Sequence, residues 1–108
     1  MAETRILDID AGWLKIVQPI LERHLPGRPV FAFGSRTRGC ARRRSDLDLA
    51  VGGTERLTIR TIANIKEDFS ESDLPIFVDV LDMNSVEAGF LKRIEPDFVV
   101  VQSGEAAS

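Results

Sequence analysis

Three aspartates occupy positions where carboxylates are uncommon and where they are able to bind divalent metal. Asp46 and Asp48 are separated by one residue at the start of an apolar segment, and Asp79 lies inside the apolar run Ile76–Leu81. Residues two apart on a strand point to the same face, about 6.6 Å apart at ~3.3 Å per residue. Their carboxylates can then converge on ions roughly 3.5–4 Å apart, the spacing of two-metal phosphoryl transfer. A charge in an apolar strand is costly unless it is paired or metal-bound, which makes Asp79 a third candidate ligand.

Magnesium is the ion that this donor set favours, because it prefers oxygen ligands and binds through a few carboxylates plus substrate phosphates. We expect two ions, with Mn²⁺ able to substitute. The opposing interpretation is that the three aspartates are surface carboxylates at strand ends. Ordinary strands disfavour aspartate, and two carboxylates on one face repel each other, so the pattern favours a metal site.

A Gly-Ser pair precedes the aspartates and has the character of a phosphate-binding turn. Gly34 and Ser35 follow the short apolar run Val30–Phe33. Glycine permits positive φ and close approach of the backbone, and backbone N–H groups at a turn that enters a helix bind anions. Arg36 and Arg38 follow at once, and we predict that one or both bind phosphate oxygens, since arginine offers a planar, permanently charged fork.

The remaining polar residues of this segment lie just before Asp46. Ser45 is a candidate for orienting the metal-binding turn and the nucleotide through its hydroxyl, although an ordinary serine before a strand is an equal alternative. Arg42, Arg43 and Arg44 are expected to be solvated or to face a partner rather than the phosphates.

Taken in order, these residues resemble the signature of a known superfamily. Gly34-Ser35, then Ser45-Asp46-x-Asp48, then a separate Asp79 is similar to the pattern of the nucleotidyltransferase and DNA polymerase beta superfamily. The Gly-Ser-Arg-x-Arg-Gly form and the short chain resemble the minimal nucleotidyltransferases, which are the antitoxin partners of HEPN-type toxins in toxin–antitoxin pairs. The resemblance covers roughly half of the chain, from Val30 to about Asp82.

The resemblance implies both an activity and roles for the aspartates. It implies a metal-dependent transfer of a nucleoside monophosphate, with AMP from ATP favoured, to a hydroxyl on a partner macromolecule. Asp46 and Asp48 would ligate metal, and Asp79 would ligate the catalytic metal and deprotonate the attacking hydroxyl. By the same analogy the partner is a HEPN-type toxin, modified on a tyrosine. The helix Ile6–Leu25 or the sheet edge near Val99 would supply the docking surface.

Two other functions remain open at this point. The chain could be a non-catalytic antitoxin that neutralises its toxin by binding and retains only a relict nucleotide site. Three convergent carboxylates argue against that alternative, because a binding module has no need of them. Direct nucleic-acid binding is disfavoured: residues 55–108 carry five basic and eleven acidic residues, and the aromatic residues form no basic–aromatic stripe.

The hydrophobic pattern predicts an α/β fold with a small mixed sheet of about four strands flanked by helices, and the resemblance implies the same nucleotidyltransferase-like core. Helices are predicted at Ile6–Leu25, at Thr54–Ser70 with Thr54 as N-cap, and at Asn84–Ile94 with Asn84 and Glu87 spaced as a capping box. A helix is also predicted to begin at Arg36–Ala41. The strands are predicted at Val30–Phe33, Leu47–Val51, Ile76–Leu81 and Phe98–Val101.

Size and composition suit one domain over residues 1–108, with a frayed tail from about residue 103. The chain has 108 residues, a net charge of −3 and a single cysteine, which excludes an internal disulfide and fits a reducing compartment. No apolar run approaches the ~20 residues needed to cross a bilayer, and the N-terminus has no signal-peptide core. We therefore expect a soluble, cytoplasmic protein with no membrane association.

Overall fold

The computed structural model describes residues 6–104, and a four-stranded mixed sheet forms its centre. The helices of this range are α1 (Ala11–His24), α2 (Ile59–Glu71) and α3 (Ala88–Ile94), with short 3₁₀ turns at Gly34–Thr37 and Glu95–Asp97. The strands are β1 (Val30–Phe33), β2 (Leu47–Val51), β3 (Val78–Asp82) and β4 (Val99–Gln102). The predicted fold class, a small mixed sheet of four strands flanked by helices, is confirmed.

The order of the strands places β2 beside the strand that carries the third aspartate. The sheet runs β3-β2-β1-β4; β1 is antiparallel to both of its neighbours, whereas β2 and β3 are parallel. A parallel pair requires a crossover connection, and α2 lies in that connection. The parallel pairing is what brings two acidic strands side by side.

The two faces of the sheet have different surroundings. One face carries the buried side chains of the core, which pack against α1 and α2 and include Val30, Leu47, Leu49, Val78 and Val101. Burying each large aliphatic side chain contributes about 1.5–3 kcal/mol relative to exposure. The alternate residues of the same strands project to the opposite face. That face is more open, and it carries functional candidates.

The strands are predicted more accurately than the ends of the helices. β1 and β2 have the predicted bounds, whereas β3 begins at Val78 rather than at Ile76. The first helix begins at Ala11, not at Ile6, because Asp10 caps it by accepting a hydrogen bond from the backbone N–H of Gly12. Pro19 lies inside this helix and does not end it.

Both predicted helix caps further along the chain are wrong. The second helix is capped by Thr58, whose hydroxyl accepts a hydrogen bond from the backbone N–H of Thr61 at 3.0 Å; Thr54 precedes the helix by several residues. The third helix begins after Glu87, which makes no side-chain cap. The amide of Asn84 instead donates to the carbonyl oxygens of Gly53 and Glu55, so the predicted capping box is not formed.

The helix predicted over Arg36–Ala41 is reduced to the 3₁₀ turn Gly34–Thr37, after which the chain continues as a loop to β2. Cys40 lies in this loop, exposed. At the C-terminus, the predicted frayed tail falls largely on residues 105–108, which lie outside the described range. Among the helices of residues 6–104, none is long and apolar enough to cross a membrane.

Candidate active site

Asp48 and Asp79 are lateral neighbours in the parallel β2–β3 pair. Phe33, the last residue of β1, pairs with Asp48 on the other side. Laterally paired residues project to the same face of a sheet, so all three lie on the open face, opposite the core. Asp46, two residues before Asp48, lies just ahead of β2 and is exposed. The fold thus brings together the three aspartates predicted from the sequence.

The electrostatics of Asp48 show that these carboxylates act on one another. Burial raises the pKa of Asp48 above its ordinary value, and the negative charges of Asp79 and Asp46 raise it further. The guanidinium of Arg38 acts in the opposite direction and lowers the same pKa in part. The centre therefore combines half-buried negative charge with the nearby guanidinium of Arg38. A bound metal ion would offset the repulsion that remains among the carboxylates.

Gly34 brings the backbone of the predicted phosphate-binding turn against Asp48. Its φ is +85°, which side chains other than glycine rarely adopt. A Cβ at this position would overlap the carboxylate oxygen Oδ2 of Asp48. The turn is closed by the hydroxyl of Thr37, which donates to the carbonyl of Gly34 at 3.1 Å. Glycine is therefore required here both for conformation and for space, and the turn with Ser35 sits directly beside the acidic centre.

Arg36 has a different position from the one its predicted role requires. The residue is 4% exposed, and its guanidinium donates to the carbonyl oxygens of Asp8 at 2.8 Å and Ser45 at 3.1 Å. It also donates to the carbonyls of Arg42 at 3.2 Å and Arg43 at 2.9 Å. Three of these four contacts direct its donors to the loop before β2, and the contact with Asp8 ties that loop to the segment before α1. The geometry gives Arg36 the task of holding that loop, and it gives no support to a direct phosphate contact.

Arg38 and Ser45 lie near the two ends of the loop that joins the 3₁₀ turn to β2. Arg38 is exposed and close enough to Asp48 to affect its pKa. The hydroxyl of Ser45 accepts a hydrogen bond from the backbone N–H of Arg42 at 2.8 Å, which closes the loop ahead of Asp46. Arg38 is therefore available to a ligand, whereas Ser45 orders the segment that leads into β2.

The carboxylates fit a divalent cation in chemistry, although they are not gathered into a finished site. Within residues 6–104, no group of three or more His, Cys, Asp or Glu side chains is arranged to hold a metal ion as it stands. The donors are all carboxylate oxygens, which Mg²⁺ and Mn²⁺ accept. The negative charges of Asp79 and Asp46 repel that of Asp48 and raise its pKa. A bound divalent ion would offset this repulsion.

Two hollows border the acidic centre, and sequence reasoning identified neither. One has a volume of about 310 Å³ and lies between Phe33 and Phe90, with Asp48 and Asp79 in its wall. The other, of about 490 Å³, lies between the end of α2 and the start of β3, and its wall includes Phe69, Leu74 and Phe77. The sequence signal for the second is Phe77, an aromatic residue two positions before Asp79, which the hydrophobic pattern alone assigns only to a strand.

Comparison with known proteins decides the family. The family model described as "Polymerase beta, Nucleotidyltransferase" matches residues 15–104. The chain belongs to this family. Over 99 residues it is 44% identical to a protein of Haemophilus influenzae described as "Probable protein adenylyltransferase MntA", covering 92% of this chain and 87% of that protein. The predicted resemblance to minimal nucleotidyltransferases is confirmed.

Solved structures show the same fold for family members at lower identity. A toxin–antitoxin structure with AMP-PNP matches with a TM-score of 0.71 and 21% identity, over 83% of this chain and 73% of that one. A complex described as a tri-AMPylated Shewanella oneidensis HEPN toxin with MNT antitoxin matches with a TM-score of 0.64 and 19% identity, over 83% and 69% of the two chains. The nucleotidyltransferase core is thus shared.

Proposed function

We propose that this protein is a metal-dependent adenylyltransferase that moves AMP from ATP to a hydroxyl on a HEPN-type partner toxin and acts as its antitoxin. The observation that carries the proposal is the position of Asp48, which lies beside Asp79 in register and directly against Gly34. An acidic centre and a phosphate-binding turn in contact are what transfer from a nucleoside triphosphate requires. The relative named as an adenylyltransferase and the complex with an AMPylated toxin support the choice of reaction and partner.

The reaction is a substitution at the α-phosphorus. The acceptor oxygen forms a bond to that phosphorus, the bond from phosphorus to the bridging oxygen of pyrophosphate breaks, and pyrophosphate leaves. The proton of the acceptor hydroxyl passes to the carboxylate of Asp79. Catalysis of this kind consists mostly of positioning and charge neutralisation.

The residues of the site divide this work among them. The backbone of Gly34 and Ser35 would hold the triphosphate, and Arg38 would neutralise the departing pyrophosphate. Asp46, Asp48 and Asp79 would hold Mg²⁺, two ions if the family pattern applies, and the ions would supply charge neutralisation at the phosphates. Ser45 would act through the loop rather than by direct contact with the nucleotide.

The acceptor is expected to arrive on a separate macromolecule. Asp46 and Asp79 are both exposed, so solvent reaches the acidic centre. An open, wet site weakens electrostatic catalysis, so transfer to small hydroxyl compounds should be slow. A cytoplasmic location accords with a partner toxin that acts inside the cell, and we include it in the proposal.

The test is incubation of the full chain with ATP labelled at the α-phosphate, Mg²⁺ or Mn²⁺, and the protein encoded by the adjacent gene. We expect label on the partner and a mass increase of one or more AMP groups. Parallel reactions with other nucleoside triphosphates establish the base preference. A wild-type chain that binds and neutralises its partner without transferring label would instead establish the non-catalytic antitoxin, and rapid turnover of small acceptors without the partner would overturn the assigned acceptor.

A further inference from the structure

A row of apolar side chains lies directly behind the acidic centre on the open face of the sheet. Asp48 and Asp79 are lateral partners across β2 and β3, and the apolar row follows them by two residues along both strands. Its members, paired across β1, β2 and β3, are Phe31, Ala50 and Leu81. Residues two apart on a strand lie on the same face, about 6.6 Å apart at ~3.3 Å per residue. A ligand with its charged part at the two aspartates therefore has an apolar surface within reach of its uncharged part.

The smaller of the two hollows, of about 310 Å³, opens over this part of the face. Phe33 of β1 and Phe90 of α3 lie in its wall together with Leu81, and Asp48 and Asp79 belong to the same wall. The volume is near the lower end of the range for small-ligand sites, which is about 300–1,000 Å³. The hollow thus combines carboxylates with aromatic and aliphatic groups. With a metal ion at the carboxylates, this polarity suits the junction between a phosphate and a nucleoside.

The two aromatic rings of the hollow are held by neighbours outside its wall. The ring of Phe33 contacts that of Phe98 in a tilted arrangement, with the centroids 6.2 Å apart. The guanidinium of Arg93 lies over the ring of Phe90, 5.6 Å from its centroid, which is a cation–π distance. Phe90 is only half-buried, and α3 has no buried residue. Packing of the core therefore does not account for the position of this ring beside the aspartates.

The nucleoside of the proposed donor must lie close to Asp48. Its triphosphate would lie on the turn of Gly34 and Ser35, and this turn is in contact with Asp48. Phe33 directly precedes Gly34 and pairs with Asp48, so the smaller hollow adjoins both the turn and the central aspartate. The larger hollow borders Asp79 but neither the turn nor Asp48. The smaller hollow is therefore the one within reach of a group that is bonded to an α-phosphate at Asp48.

We propose that the smaller hollow binds the nucleoside of the donor, with the ribose beside Phe33 and the base stacked on Phe90, and that it selects purines over pyrimidines. This inference rests on the proposed function and identifies the part of the site that determines which nucleotides bind. Every base has a π face that stacks on an aromatic ring. The two fused rings of a purine bury more apolar area than the single ring of a pyrimidine, and burial of apolar area is favourable.

The same hollow does not distinguish adenine from guanine. In the part of the chain that the structure describes, the polar side chains of its wall are Asp48 and Asp79 alone, and both are engaged at the phosphate end in the proposed function. The backbone groups of β2 and β3 pair with each other at these positions. No amide, hydroxyl or guanidinium of the wall is left to read the polar edge of a purine. A preference for ATP over GTP in transfer would then require a polar group from the partner.

The first experiment measures the binding of four nucleoside triphosphates and of inorganic tripolyphosphate to the full chain with Mg²⁺, by isothermal titration calorimetry. Tripolyphosphate has the phosphate chain of the donor without its nucleoside. We expect wild type to bind ATP and GTP about equally, and both more tightly than CTP, UTP and tripolyphosphate. Phe90→Ala should weaken the binding of ATP and GTP about fivefold or more, because it removes the stacking partner. The binding of tripolyphosphate should be unchanged in this variant.

Three further variants separate stacking from changes in the fold. Phe90→Tyr retains the aromatic ring and should bind ATP as wild type does. Phe90→Leu retains apolar volume without a π face and should recover only part of the affinity that Phe90→Ala loses. Ile59→Ala is the matched control, because Ile59 is 88% exposed, lies in the first turn of α2 and is absent from the wall of the hollow. It should have no effect in any of the titrations.

The second experiment detects the stacked base directly in Phe90→Trp. A base that stacks on the new indole should quench its fluorescence when ATP or GTP is added, whereas tripolyphosphate should not. The wild-type chain, whose single tryptophan is Trp13 of α1, gives the background for each ligand. Equal emission changes with ATP and tripolyphosphate would contradict stacking at this position.

The remaining outcomes distinguish this inference from the proposed function. Wild-type affinity for ATP in Phe90→Ala, equal weakening of ATP and tripolyphosphate, or a wild-type chain that binds tripolyphosphate as tightly as ATP would overturn the nucleoside subsite and leave the proposed function intact. A preference of the isolated chain for ATP over GTP of more than about tenfold, the size of one hydrogen bond, would overturn selection by ring area alone. A wild-type chain that binds no nucleoside triphosphate with Mg²⁺ or Mn²⁺ would overturn the proposed function, and this inference with it.

Discussion

Asp48 and Asp79 face the same side of the sheet as lateral partners in a parallel strand pair, and the negative charge of Asp79 contributes to the raised pKa of Asp48. Two carboxylates in this relationship destabilise the folded chain unless a cation or a proton intervenes. A metal ion bound as proposed would offset this cost and would account for the arrangement. The relationship yields separate expectations for catalysis and for ligand binding.

Asp48→Asn should abolish AMP transfer and leave the fold intact. The amide preserves the size of the side chain beside Gly34, but it removes the central charge of the proposed metal site, and loss of a group that stabilises the transition state typically costs about 10²–10³-fold. The measurement is the initial rate of label transfer to the partner, with circular dichroism to verify the fold. Undiminished transfer by Asp48→Asn would contradict the assigned role.

Asp79→Asn should weaken the stabilisation that ATP and Mg²⁺ confer on the wild-type chain. A ligand at 100 times its dissociation constant contributes about 2.7 kcal/mol to the free energy of unfolding. The variant loses one carboxylate of the proposed site but also loses repulsion against Asp48, so its Tm without ligand should equal or exceed that of wild type. Differential scanning fluorimetry with and without nucleotide measures both quantities. A wild-type chain that no triphosphate stabilises, with either Mg²⁺ or Mn²⁺, would exclude the nucleotide site.

The strands and the Asp46–Asp48 pair could be predicted from the sequence because their signals are local. Apolar runs bounded by polar and glycine-containing segments define β1 and β2, and Asp46 and Asp48 share a face by strand periodicity alone. The segments that precede α2 and α3 could not be predicted, because residues distant in sequence hold them. The backbone N–H of Leu57 donates to the carboxylate of Asp82 at 2.8 Å, and the amide of Asn84 donates to backbone carbonyls about thirty residues earlier.

The two arginines of the motif illustrate the same limit. In sequence, Arg36 and Arg38 are equivalent candidates for phosphate. The structure separates them, because the carbonyl acceptors of Arg36 come from the segment before α1 and from the loop before β2. Only the assembled fold brings these carbonyls together around one side chain. The hollow beside Phe77 likewise depends on the packing of α2 against β3.

Arg36→Ala should therefore lower mainly the stability of the fold, and Arg38→Ala mainly the transfer activity. Arg36→Ala removes a buried guanidinium and leaves backbone carbonyls without their donor, which should lower the free energy of unfolding by at least about 2 kcal/mol. Arg38→Ala changes an exposed side chain and should alter stability by no more than about 0.5 kcal/mol, but it should reduce transfer and the thermal shift with nucleotide. Urea unfolding and label transfer, measured on both variants, separate the two roles.

Arg43→Ala is the matched control for this pair, since it removes an exposed arginine from the same loop while retaining the carbonyl that Arg36 uses. It should behave as wild type in both assays. A loss of transfer in Arg43→Ala as large as that in Arg38→Ala would show that the loop contributes through its overall charge. An Arg36→Ala variant that is as stable as wild type but transfers less label would support a direct contact between Arg36 and the phosphates.

Asp82 should make the stability of the fold depend on pH. The residue is 4% exposed, and its carboxylate accepts hydrogen bonds from the N–H groups of Leu57 at 2.8 Å and Asn84 at 3.0 Å and from the hydroxyl of Ser85 at 2.8 Å. Burial raises the pKa of Asp82, but these hydrogen bonds outweigh burial and hold the pKa below its ordinary value. A lowered pKa in the folded state stabilises the fold at pH values above the ordinary value, about 3.9 for aspartate. The contribution is lost as the pH falls through the lowered pKa.

Asp82→Asn tests this contribution because it preserves the size of the side chain and removes the charge. At neutral pH the variant should have a free energy of unfolding about 1–3 kcal/mol below that of wild type, since one or more of the three donors is left without a charged acceptor. The difference should persist down to about pH 4 and then narrow, because acid protonates Asp82 in the wild type. Urea unfolding of both proteins across this range measures the difference at each pH. A difference that stays constant into strong acid would show that Asp82 acts through packing, and a difference that grows would contradict the lowered pKa.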